Sequence, residues 1–296
     1  MEGRARPLGP ENFALIVGGM KCGTTSLFEI LRQHPEIAGS RKKEPGFFSD
    51  DEAWAKGWEW YIGLWDWNTA RHKVALEASP AYTAFPSVPS VPERISSVKG
   101  AQFRFIYLLR NPLDQIQSNI RHTLYAGWGK PLDEGISEWM IDLVRYSTQI
   151  DQYVSRFPRD RLLLLTLEEF RLHPESVLRK VCHFLEVDPT FEFKGVSTRY
   201  NSGELYEIPD LFAGIVHSGV LRRFADKYLP RSVRHRIRGM LPKMFRRKAS
   251  LGRYQLNESE TAVLMSQIVS DLRRLDSEYG VDIDRFWSIE LSSSAG

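Results

Sequence analysis

Residues 13–27 read Phe-Ala-Leu-Ile-Val-Gly-Gly-Met-Lys-Cys-Gly-Thr-Thr-Ser-Leu, and this stretch constrains the fold more than any other. The apolar run from Phe13 to Val17 predicts a buried strand. Glycines, a lysine and three hydroxyl residues follow. Leu27, Phe28, Ile30 and Leu31 then recur at helical spacing and predict a helix with one buried side. A strand running through a glycine turn into a helix gathers the unpaired N–H groups of the first helical turn at one point. The helix dipole is positive there, so the turn is suited to an anion, phosphate above all. Lys21 adds a full charge to that cradle.

The order of residues narrows the reading. A Walker A loop runs G-x-x-x-x-G-K-[ST], with lysine directly after the second glycine. Gly18 and Gly23 have that spacing, but Thr24 stands where the lysine belongs and Lys21 comes two residues before Gly23. The segment Lys21-Cys22-Gly23-Thr24-Thr25-Ser26 resembles the 5′-phosphosulfate loop of sulfotransferases that use 3′-phosphoadenosine 5′-phosphosulfate (PAPS).

A second strand–turn–helix pattern spans Phe103 to Ser118. Phe103 to Leu109 suits a buried strand, and Pro112 suits the first turn of a helix, where its missing N–H does no harm. Arg110 stands at the strand's end, with Ser118 about two turns into the helix. Arginine grips phosphate with two parallel hydrogen bonds, and a serine hydroxyl adds a third. Arg110 and Ser118 match, position by position, the 3′-phosphate motif of the same family: Arg-x-Pro, then serine eight residues after the arginine. The two loops lie about 90 residues apart, in the family's order.

Three further segments extend the resemblance over roughly Phe13 to Tyr200. Lys42 to Phe48 is similar to the Lys-Glu-Pro-x-Phe-Phe element of the carbohydrate branch. Glu77 to Tyr82 is similar to that branch's Glu-x-Ser/Thr-Pro-x-Tyr element. Arg161 to Phe170 reads as another buried strand, with a helix from His173-Pro174 through Leu185. The resemblance implies the P-loop-type α/β sulfotransferase fold, a parallel sheet flanked by helices. It also implies PAPS as co-substrate, with PAP (3′-phosphoadenosine 5′-phosphate) as product. Composition agrees with such a fold: 296 residues, 42% of them hydrophobic, can bury a sizeable core. We expect one domain over 1–296, with a basic helical C-terminal portion from about residue 205.

The resemblance assigns Lys21 to the leaving group and Gly23, Thr24, Thr25 and Ser26, beside Cys22, to the 5′-phosphate. It assigns Arg110 and Ser118 to the 3′-phosphate. Arg199 and Asn201 fall where the family places its last phosphate-contacting loop, although the Lys-Gly-Arg signature of the animal glycan enzymes is missing. A hydroxyl acceptor also needs a general base. The histidine or lysine that relatives carry in the Pro80 element is Ala78 here. The candidates, in order, are Glu44, Glu77 and His122; the bland reading of Glu44 is an ion pair with Arg41, Lys42 or Lys43, and that of Glu77 is ordering the active-site loop through hydrogen bonds. Leu167 replaces the tyrosine that cytosolic relatives offer to adenine. Ala78 leaves open a non-catalytic nucleotide- or polyanion-binding module, and the phosphate loops leave open a P-loop kinase using ATP.

Partners follow from the same residues. The expected acceptor is a hydroxyl, less readily an amine, on a carbohydrate or small metabolite. Trp54, Trp58, Trp60, Tyr61, Trp65 and Trp67 crowd one stretch that either lines an acceptor pocket or packs on the core as a helix such as Trp54 to Tyr61. Two cysteines suit a reducing compartment, and no apolar run approaches the roughly 20 residues of a membrane span, so we expect a cytoplasmic protein. The seven scattered histidines suggest no metal site. Arg231 to Lys248 holds eight Lys/Arg and no acid, interleaved with apolar residues. It is either a solvated helix face or a surface for an anionic glycan or membrane. A net charge of only +3 and the lack of a recognised motif argue against nucleic acid.

Overall fold

Five apolar runs pair into one parallel sheet of order β2-β3-β1-β4-β5, in a computed structural model describing residues 9–125, 136–196, 206–207, 247–248 and 255–289. The strands are β1 (Asn12–Gly18), β2 (Ile37–Gly39), β3 (Val74–Ala78), β4 (Gln102–Leu109) and β5 (Leu162–Thr166). β1 lies at the centre, with Leu15 opposite Glu77 on β3 and Phe105 on β4. Side chains alternate across a strand, so each strand feeds two cores. Phe13, Leu15 and Val17 enter one core; Ala14 and Ile16 enter the other. Both faces are covered, which is why β1 reads as a continuous apolar run.

The second core is roofed by α1 (Thr24–Leu31), α8 (Leu167–Leu172) and α9 (Pro174–Leu185). Leu27, Phe28, Ile30 and Leu31 of α1 are fully buried there, each worth roughly 1.5–3 kcal/mol. The first core takes α2 (Asp51–Trp54), α3 (Gly57–Ile62), α4 (Val91–Ser97), α5 (Pro112–Tyr125), α6 (Glu138–Asp142) and α7 (Tyr146–Val154). Two later helices, α10 (Glu258–Tyr279) and α11 (Ile283–Trp287), pack onto it. Asp271 of α10 accepts hydrogen bonds at 2.9 Å from the N–H groups of Ser147 and Thr148, at the start of α7.

Two local expectations differ from the structure. The strand expected from Arg161 to Phe170 ends at Thr166. Thr166 accepts a hydrogen bond from the N–H of Glu169 at 3.1 Å, a helix cap that turns Leu167–Leu172 into α8. The aromatic stretch is two short helices rather than one, separated where Gly57 takes φ +80°. Residues 231–246 lie outside the described residues. Arg247–Lys248 pair antiparallel with Tyr206–Glu207 in a two-residue ladder. No helix among the described residues is long and apolar enough to cross a membrane.

Candidate functional site

The C-terminal ends of β1, β3 and β4 bring the predicted loops together, as expected for ligands of parallel sheets. Gly18 leaves β1 under crowding that admits no side chain. A Cβ there would come within 2.2 Å of Thr83 Oγ1 and 2.6 Å of the Tyr107 ring. Lys21 holds φ +65°, a left-handed conformation that non-glycine residues seldom adopt. Gly23 takes φ +88° and starts α1; a Cβ on it would lie 2.9 Å from Leu167 Cδ1. The first helical bond is Leu27 N–H to Gly23 O at 3.1 Å. The N–H groups of the first helical turn precede it, where an α-helix has no i−4 carbonyl to offer them.

Arg110 closes the cradle from β4. Its Nη1 donates to the Lys21 carbonyl at 3.1 Å, so the two loops touch directly. The guanidinium is largely enclosed, and its Nε is buried without a partner among the described residues. Asp114, 3.3 Å from Nη2, is half exposed and a weak ion-pair partner. Ser118 is half-buried on α5. A phosphate-sized anion fits this donor set: a helix start, a lysine, and an arginine with a buried, unpartnered Nε.

Charge crowding marks the same place. Burial is the largest influence on the Lys21 ammonium and lowers its pKa. The positive charges of Arg110 and Arg121 lower it further, and Glu44 opposes them. Partial desolvation, then the Lys21 charge, holds the exposed His122 imidazole below its usual range. Lys21, Glu44, Arg110 and His122 therefore share one electrostatic neighbourhood. Glu44 is exposed and ion-paired with its neighbour Lys43. Arg199 and Asn201 lie outside the described residues.

Glu77 has a different setting. It is fully buried on β3. Oε1 accepts from Tyr61 Oη at 2.9 Å and Tyr82 Oη at 2.8 Å, and Oε2 accepts from Ser79 Oγ at 2.7 Å. Burial outweighs these three bonds and pushes its pKa up to about 7. The aromatic stretch packs on the core: Tyr61 stacks on Phe47 at 4.5 Å and Trp65 Nε1 donates to Leu76 O at 3.2 Å. A cavity of about 390 Å³ remains between Phe47, Trp54, Trp58 and Val98.

A family model described as "Sulfotransferase domain" matches residues 12–201. The chain belongs to the sulfotransferase family. The mouse heparan sulfate glucosamine 3-O-sulfotransferase 3B1 is 28% identical over 184 residues, 58% of this chain and 45% of the relative. The mouse heparan sulfate glucosamine 3-O-sulfotransferase 5 is 32% identical over 191 residues, 60% and 54% respectively. The chain thus spans about half the length of the curated relatives it matches. A solved sulfotransferase from Alicyclobacillus acidocaldarius superposes with a TM-score of 0.53 at 26% identity, over 70% of this chain and 90% of that one.

This sulfotransferase chain also uses residues that sequence reasoning missed. Tyr146 Oη donates within 2.6 Å of both the Arg110 carbonyl and Gln115 Oε1. Cys22 Sγ donates to the same Gln115 oxygen at 3.0 Å, and burial holds its thiol protonated. Gln115 therefore ties the Lys21 loop to the Arg110 loop. Glu168 accepts from Asn111 N–H at 3.1 Å and Trp287 Nε1 at 3.0 Å, fastening α11 beside Arg110. Gln115 and Asn119, polar residues beside Ile116 and Ile120 on the buried side of α5, were the available sequence signal.

Proposed function

We propose that this chain transfers a sulfuryl group from PAPS to a hydroxyl of a glycan. The observation that carries the reading is the Arg110–Lys21 contact at 3.1 Å. It sets a phosphate-gripping arginine and a crowded lysine side by side at the ends of adjacent parallel strands. The curated relatives, whose names specify a glucosamine of heparan sulfate, support a carbohydrate acceptor. A Walker-type kinase would need lysine where Thr24 stands.

The residues divide the work. Thr24, Thr25 and Ser26 offer first-turn N–H groups and hydroxyls to the 5′-phosphate. Arg110 and Ser118 grip the 3′-phosphate. Glu44 takes the proton of the acceptor hydroxyl as its oxygen bonds to sulfur. Lys21 faces the oxygen that departs with the electron pair of the broken S–O bond and offsets its charge. His122, whose imidazole is influenced by the Lys21 charge, is the second base candidate. Glu77, buried under three hydroxyl donors, stays out of the proton transfer.

Incubation with PAPS and heparan sulfate tests the reading. Sulfate should appear on the glycan, and Glu44→Gln should slow it about 100-fold with PAP affinity kept. Phosphate transfer from ATP, or full activity in the variant, would refute the donor or the base.

A further inference from the structure

Glu77 is a physical oddity that the transfer step does not use. It projects into a core face where its strand neighbour Ala75 and its cross-strand partner Leu15 are apolar. Burying a carboxylate is costly unless hydrogen bonds compensate. Each of those bonds leads on to the loop that carries Glu44. Ser79 Oγ donates to Glu77 Oε2 and accepts from Gly46 N–H at 3.3 Å. Tyr82 Oη donates to Glu77 Oε1 and accepts from Phe48 N–H at 3.3 Å. Tyr61, the third donor, stacks on Phe47 of the same loop. The Ala78 N–H donates to Lys43 O at 3.0 Å, so β3 also holds the loop's start.

We propose that Glu77 is a positioning residue that braces the loop 43–48 through Ser79 and Tyr82 and so holds Glu44 at the reacting centre. This rests on the role proposed for Glu44. That side chain is exposed, and its ion pair with Lys43 is too solvated to fix it. The two oxygens of Glu77 offer about four lone-pair sites to these three hydroxyl donors. An amide at this position keeps the two tyrosine donors and turns its NH₂ toward Ser79, reversing one strut.

The test uses Glu77→Gln and Tyr82→Phe in the full chain. Amide hydrogen exchange is followed by mass spectrometry, PAP affinity by calorimetry, and kcat and KM for PAPS with heparan sulfate as acceptor. Exchange in 43–48 should quicken about tenfold in both variants, as one lost hydrogen bond implies. Exchange in β4 should not change. kcat should fall about tenfold, with KM for PAPS and PAP affinity held within about twofold. Unchanged exchange in 43–48, quickening that spreads through β4, or a loss of PAP affinity matching the loss of kcat would each overturn the proposal. Failure of the wild-type chain to bind PAP would refute the sulfotransferase reading instead, and exchange would still judge the brace. Full turnover in Glu44→Gln would remove the base and the positioning role with it.

Discussion

The two sides of the site are built by opposite means. On the phosphate side, the loops after β1 and β4 expose backbone N–H groups and cations, and tight glycine contacts shape them. On the carboxylate side, the loop after β2 presents one exposed acid, Glu44, and a buried acid, Glu77, fixes the loop that carries it. Each phosphate-side loop is local in sequence, a few residues of turn and helix start, and the two meet where Arg110 donates to the Lys21 carbonyl. The carboxylate side depends on donors from α3 and from the turn after β3. Gripping an anion thus draws on two short turns in the right conformation, whereas placing the proposed base draws on a supported loop.

That contrast can be broken at either side. The largest expected effect is Lys21→Ala, which should cut turnover by about 10²–10³ while leaving PAP affinity nearly intact, measured by initial rates and calorimetry. A parallel collapse of PAP affinity would mean that Lys21 builds the cradle rather than acting on the leaving group.

A smaller effect concerns stability on the carboxylate side. Glu77 has a folded pKa of about 7 against 4.5 for the ordinary side chain. A raised folded pKa gives stability that is complete below about 4.5 and lost as pH rises through about 7. Relative to Glu77→Gln, the wild-type chain should therefore lose about 3 kcal/mol between pH 4.5 and pH 8, read from denaturant unfolding at each pH. A difference that does not vary with pH would show that Glu77 is not buried as an acid. On the expected outcome, Glu77→Gln gains stability relative to the wild-type chain as pH rises towards 8 while its activity stays low, which separates bracing from simple core packing.

Sequence carried some of this further than the rest. Phe13 to Val17 and Phe103 to Leu109 were legible as strands because both faces are buried and the runs are continuous. The two strand–turn–helix loops were legible because glycine and proline act through local backbone geometry. The strand expected through Phe170 stopped at Thr166, although Thr166 and Glu169 already have capping spacing. Glu77 was legible as an acid beside Ala78, but not as a buried one, since Tyr61 and Tyr82 reach it only after the sheet forms. Tyr146 meets Gln115 across 31 residues and Trp287 meets Asn111 across 176, separations over which periodicity carries no information.

The central claim is that the site recognises a 3′-phosphate through Arg110. Calorimetric titration with PAP and with 5′-AMP, in the wild-type chain and in Arg110→Ala, tests it most directly. The account predicts a wild-type preference for PAP of about 10- to 100-fold, lost in the variant. Equal affinity for the two nucleotides in the wild-type chain, or tighter binding of ATP than of PAP, would contradict it.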